Sequence, residues 1–183
     1  MKFLTNGYDL TATSTGSSQA LSGDATKVSL FAEGAMNVGV VPGPLGAVAV
    51  NTISAHGIGT AKIVGVTFTN DFNVGDVLRF TVDGTNLDLT VTTRNNLDTA
   101  AALKTLAEQT AAITADFLVG ISDNVVRFTR SVVNTDFTVS TSVQSRNVPH
   151  HIGANERLTI EVPRGSTILA KASSGNLNIS ELE

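Results

Sequence analysis

The 183-residue chain contains no cysteine and no tryptophan. Without cysteine there is no disulfide, no thiol nucleophile and no thiolate metal site, and the redox compartment is left open. Without tryptophan, and with the eight Phe residues and the lone Tyr8 mostly where strands need apolar side chains, no stacking platform for sugars or bases is indicated. Charge is scarce as well: Asp, Glu, Lys and Arg together make up 15 %, against about a quarter of an ordinary globular protein. The twelve basic residues are scattered singly and the formal net charge is −4, which excludes general affinity for a phosphate backbone. No apolar run approaches the roughly 18 residues of a membrane span. The opening "MKFLTNGYDL" reaches Thr5, Asn6 and Gly7 before an apolar segment forms, so it is no signal peptide. A soluble protein made in a cytoplasm, without an export signal, is expected.

Thr, Ser, Asn, Gly and Val fill the space that charge leaves. β-Branched residues suit a pleated surface, while Ser, Asn and Gly suit turns, so the composition favours strands over helices. Low charge with a positive mean hydropathy also points to surface covered by partners.

Residues 1–24 are polar and rich in Thr, Ser and Gly, a composition poorly able to build its own core. They are expected as an N-terminal arm, either flexible or laid along a neighbouring subunit. From Lys27 the pattern turns to β, with Val28 and Leu30, then Val38 and Val40, then Ala47 to Val50 after a Pro-Gly-Pro turn. After "SAHGIGT" (54–60) the texture changes. "AKIVGVTFT" places Val64, Val66 and Phe68 on one face, and "GDVLRFTVDGTNLDLTVTT" forms the clearest hairpin, turning at Asp83-Gly84. One helix follows in "NNLDTAAALKTLAEQTAAI", capped by Asn96 or Asp98, with Leu103, Leu106, Ala107, Thr110 and Ile113 at helical spacing. Three more strands carry Val126 and Phe128, then Phe137 and Val139. Beyond "QSRNVPHHIGANE", Leu158, Ile160 and Val162 alternate, as do Ile168, Ala170 and Ala172, then Leu177 and Ile179.

The last strands resemble the first in composition, and about 37 residues are too few for an independent core. The fold expected is therefore mainly β. Residues 25–56 plus 148–183 form a discontinuous antiparallel β-sandwich or jelly-roll-like domain. Residues 57–147 form an inserted small α+β domain, an antiparallel sheet covered by one helix.

Chemistry is sparse. His56, His150 and His151 flank the two junctions, and if the junctions meet they could approach Glu156 as a candidate metal site. Neighbouring His150 and His151 point to opposite faces of a strand, however, so one ion would rarely take both. "GIGTAK" (57–62) precedes a strand where a phosphate cradle follows one. Asp71, Asp76, Asp83 and Asp88 sit at or beside turns and form no D-x-D-x-D-G loop. Arg79, Arg127 and Arg130 could form a local basic face, though single strand arginines facing solvent are the ordinary case. The acceptor pattern "NIS" at 178–180 means little without a secretion signal. No catalytic, cofactor-binding or metal residues are assigned, no cofactor is expected, and the chain is not expected to be an enzyme.

Two stretches carry a resemblance. "ATKVSLFAEGAMNVGVV", followed distantly by "ERLTIEVPRGSTILAKASSGNLNIS", resembles the small β-sandwich proteins of tailed-bacteriophage virions, including head-decoration (cement) proteins. The recurring positions fall on Ile160, Val162, Pro163, Gly165, Thr167, Ile168, Ala170, Ser174, Gly175, Leu177, Ile179 and Leu182. The middle, from "GDVLRFTVDG" to "DTAAALKTLAE", is similar to an α+β module inserted in phage tail and capsid-associated proteins. The resemblance implies a virion structural protein at the capsid surface. Its partners would be the major capsid protein or other virion proteins, and its own copies as a homo-oligomer, a trimer by preference. Neither nucleic acid nor membrane is implied. A tail, neck or fibre-base component is the alternative, and a glycan-binding module the second alternative.

Overall fold

A computed structural model describes residues 3–182, with side chains described from residue 6 onward. Strands occupy 53 % of the chain and helix 10 %, and the sheets are antiparallel. In chain order the strands are β1 (Phe3–Thr11), β2 (Ser17–Ala20), β3 (Lys27–Ala32), β4 (Met36–Val41), β5 (Ala47–Ser54), β6 (Ile63–Thr69), β7 (Val77–Val82) and β8 (Thr85–Thr90). Helices α1 (Asn96–Gln109) and α2 (Ala111–Thr114) come next. Then follow β9 (Phe117–Ser122), β10 (Val125–Arg130), β11 (Val139–Ser145), β12 (His150–Ile152), β13 (Glu156–Glu161), β14 (Thr167–Lys171) and β15 (Asn176–Leu182). The chain divides into two compact units, one made of Met1–Leu45 with Ser145–Glu183, the other of Gly46–Gln144.

The first unit holds two four-stranded sheets, ordered β1-β15-β3-β13 and β12-β4-β14-β2. Period-two alternation explains its core. Val28, Leu30 and Ala32 of β3, with Leu177 and Ile179 of β15, point inward from one sheet. Met36, Val38, Ile168 and Ala170 point inward from the other, and all join one apolar cluster. Each Val, Leu, Ile or Met among them stabilises by about 1.5–3 kcal/mol when fully buried, and the two alanines by less. Residues 157–182 sew the two sheets together. β13 flanks β3, the chain turns at Gly165 (φ 69°), and β14 then runs between β4 and β2. A second turn at Gly175 (φ 121°) returns it as β15 between β1 and β3.

The N-terminal segment differs from the arm expected over 1–24, of which residues 1–2 lie outside the described residues. β1 pairs with β15 from Gly7↔Ser180 to Thr11↔Asn176, and β2 pairs with β14. The composition argument failed because this segment needs no core of its own. Tyr8, Leu10 and Ala12 alternate onto the cluster built by others, while Asp9 and Thr11 occupy the outer face. The segment is also held by Glu181, whose side chain is 0 % exposed. Its Oε1 accepts from the Ser22 backbone N–H and its Oε2 from the Ser22 hydroxyl, both at 2.6 Å. The Asn6 amide donates to Oε2 as well, at 3.2 Å. The Tyr8 phenol is pushed above its ordinary value, first by burial, then by the charge of Glu181 and its hydrogen bond to that carboxylate.

The second unit has a four-stranded sheet, β5-β6-β10-β9, and a three-stranded one, β11-β7-β8, in place of the single sheet expected. β5 belongs here because it pairs with β6 from Ala47↔Thr69 to Ser54↔Ile63. "SAHGIGT", read as a domain boundary, connects these two neighbours. The β7–β8 hairpin turns on Asp83 (φ 47°) and Gly84 (φ 83°), as its D-G chemistry dictates. Helix α1 is capped one residue earlier than expected: the Asn95 side chain accepts from the Leu97 N–H at 2.8 Å. Thr110 is extended, which separates α1 from the single turn of α2. Ala100, Leu103, Ala107 and Ile113 join Val66, Phe68, Phe80 and Phe128 in one core.

Candidate functional site

The three histidines fall in the two units separately. His56 lies in the second unit, its Nδ1 3.8 Å from Asp136 Oδ1. His150 and His151 lie on β12 in the first, where His151 Nδ1 is 3.2 Å from Asn37 Oδ1. Glu156 accepts from the Gly153 N–H at 2.8 Å. Among the described residues no group of three or more His, Asp or Glu could hold a metal ion, so the candidate of His56, His150, His151 and Glu156 is not assembled.

The arginines do not make a basic face. Arg79 on β7 grips Asp88 through Nε and Nη2 at 2.6 and 2.7 Å. That hydrogen bonding holds the Asp88 carboxyl below its usual range. Arg130 pairs with Asp83 at 2.6 Å, while Arg127, on the same strand, has no such partner among the described residues. Asp83 is thus both a turn residue and an anchor. Asp76 is fully buried and accepts from the Asn73 amide at 3.1 Å.

A cleft of about 380 Å³ opens in the first unit between β4 and β13, lined by Val38, Val40, His150, Leu158, Ile160 and Glu161. Its walls are apolar and its polar groups few, which suits burial of a partner's apolar side chain better than acid–base work, where a nucleophile and its base must touch.

The most informative surface is in the second unit. Among the described residues, the exposed large apolar side chains are Ile53, Ile58, Val74, Leu97, Leu118, Ile121, Val132 and Val133, and every one belongs to this unit. Three of them sit on a pair of loops at one end of its strands. The Gly59 N–H donates to Asn134 Oδ1 at 3.0 Å and the Asn134 N–H to Thr60 O at 3.3 Å. The loop carrying Ile58, which is 102 % exposed, is thereby fixed against the loop carrying Val132 and Val133. Lys62 locks the base of the pair by donating to Asp136 and to the Phe137 carbonyl. Asp136 is held below the ordinary carboxylate range, first by the Lys62 hydrogen bond and then by the Phe137 N–H, with burial opposing. Side chains such as Ile58 are presented on a braced scaffold, which lowers the ordering cost of binding.

Sequence reading missed this surface because an isolated Ile in "GIG" and a Val pair beside a turn are ordinary in loops. The signal was there in part, as two apolar loop segments in a chain with little charge. Comparison with family models, with curated proteins and with solved structures found no match.

Proposed function

We propose that the chain is a non-enzymatic virion structural protein that decorates and stabilises a bacteriophage capsid. The first unit is, in this reading, an antiparallel β-sandwich of jelly-roll-like design, and the second an α+β domain inserted into it. The observation that carries the reading is the division of apolar surface. Among the described residues, all eight exposed large apolar side chains lie in the second unit and none in the first, as a framework bearing a contact module should. The resemblance supports it: Ile168, Ala170, Leu177 and Ile179 are buried, and the positions around Pro163–Gly165 and Ser174-Gly175 are the turns of the stretch that sews the two sheets.

The partners in this reading are the major capsid protein or other virion proteins, with the chain as a homo-oligomer, a trimer by preference. Modest contacts repeated over a lattice yield large avidity. Attachment falls to the exposed apolar surface of residues 46–144, since β1 and β2 are committed to the sheets. The test is removal and add-back. Particles stripped of the chain are expected to release their genome at lower temperature, and added protein to restore them. An Ile58→Asp, Val132→Asp variant is expected to restore nothing while keeping its fold. Restoration by that variant, or absence of the chain from purified particles, overturns the proposal.

A further inference from the structure

Strand β9 ends its sheet: it pairs with β10 from Phe117↔Arg130 to Ser122↔Val125, and no strand pairs with its other side among the described residues. An open edge offers a row of backbone donors and acceptors to any extended chain, and proteins usually blunt it with charge, proline or a bulge. β9 has none of these. Its sequence FLVGIS is uncharged and its register with β10 is unbroken. Three other edges are defended: β13 carries Glu156, Arg157 and Glu161, β8 carries Asp88, and β5 is interrupted by a register shift between Thr52 and Ser54. The edges β11 (VSTSVQS) and β2 (SSQA) are uncharged too, but their side chains are mostly small and polar, whereas β9 carries exposed Leu118 and Ile121.

The side chains of β9 specify the occupant. Leu118 and Gly120 lie on one face of the strand, two residues apart. Leu118 is 69 % exposed, and nothing lies within 4 Å of where a Cβ on Gly120 would stand. The strand thus carries a knob and a hole with the spacing that two-fold symmetry requires. On the opposite face Ile121 is 37 % exposed, although Phe117 and Val119 of the same face are covered by the core.

We propose that β9 pairs with β9 of a second copy of this chain, antiparallel and two-fold, in the register centred on Val119. Antiparallel partners share a face, so the sum of paired residue numbers must be even for a continuous sheet. This register places Leu118 over Gly120 of the other copy, and Phe117 beside its Ile121. One contact covers the exposed residues on both faces and joins two four-stranded sheets. An edge of six residues spans about 20 Å, and such a contact buries less than the roughly 800 Å² per partner of a standard interface. The association is therefore concentration-dependent, a monomer when dilute. It rests on the edge strand alone and is independent of the virion reading. On a three-fold oligomer it would link neighbouring oligomers into a lattice.

The absence of cysteine from the chain makes the test direct. In a Val119→Cys variant the two introduced thiols face each other across the ladder, within the Cα separation of about 4.4–6.8 Å that a disulfide accepts. Mild oxidation is expected to give a disulfide-linked dimer. Ser122→Cys, which the register places about 20 Å from its own copy, is expected to stay monomeric. Adding Leu118→Lys to Val119→Cys is expected to slow cross-linking at least tenfold, and Leu118→Lys alone to abolish dimer formation in sedimentation equilibrium. Leu118 is exposed, so that variant keeps its fold. Equal cross-linking at positions 119 and 122, no cross-linking at 119, or an unaltered rate with Leu118→Lys overturns the proposal.

Discussion

Phe68→Ala is expected to destabilise the second unit by about 3–5 kcal/mol, the cost of removing a fully buried phenylalanine. Phe68 is 0 % exposed and sits on β6, between β5 and β10. Its ring meets Phe72 edge-on at 5.8 Å and Phe80 at 5.7 Å. Phe80 belongs to β7 in the three-stranded sheet, so this one side chain couples the two sheets. The backbone is held against closing the void: the Phe68 N–H donates to Asn124 O at 2.9 Å, its carbonyl accepts from the Asn124 amide at 2.6 Å, and β5 pairs along its other side at Val48. For a unit of about a hundred residues the loss lowers the melting temperature by roughly 4–8 °C per kcal/mol. Hydrogen exchange read by mass spectrometry should show β6 and β10 losing protection while β15 keeps it. A loss under about 1 kcal/mol would mean that the site collapses freely.

Glu181→Ala carries the second largest expected effect, about 2–4 kcal/mol, this time in the first unit. The substitution leaves the Ser22 N–H, the Ser22 hydroxyl and the Asn6 amide without the carboxylate that now receives them, and stranding partly buried donors costs more than the hydrogen bonds contribute net. Glu181→Gln keeps the shape and is expected to cost about half as much. A spectroscopic readout accompanies it. Tyr8 is the one tyrosine and tryptophan is absent, so the phenolate absorbance titrates a single group. Its titration is raised by burial and by Glu181, and removing the charge should lower it. The sign for stability follows. The neutral phenol is the form the fold favours, so its contribution is complete below the ordinary tyrosine value of about 10 and disappears as pH climbs through the raised one. An unshifted Tyr8 titration in Glu181→Gln would remove the carboxylate from this account.

What the sequence made legible was local. The β7–β8 hairpin announced itself because alternation and an Asp-Gly pair act over a few residues. The helix did so because Leu103 and Ala107 fall on one stripe. What stayed hidden was pairing at long range. Nothing in "NGYDLT" says that Tyr8 lies opposite Ile179, and polar outer residues diluted the alternation of Tyr8, Leu10 and Ala12. Glu181 in "ISELE" reads as a solvated carboxylate until Ser22 and Asn6 are seen around it. β5 was grouped by its texture, which matches the N-terminal strands, whereas its partner is decided by β6. The histidines illustrate the same point, since their meeting depended on where two distant segments lie. The exposed apolar loops were invisible for a different reason: one apolar residue in a loop is common, and only the bracing by Asn134 and Lys62 makes several of them a surface.

The most direct test of the proposed decoration role is a reconstruction of the virus particle in which the proposal places the chain. The account predicts ordered density for both units in a repeating array on the capsid surface, with the exposed apolar side of residues 46–144 against other virion proteins. Density confined to the tail or neck, or no density in any purified particle, would contradict it.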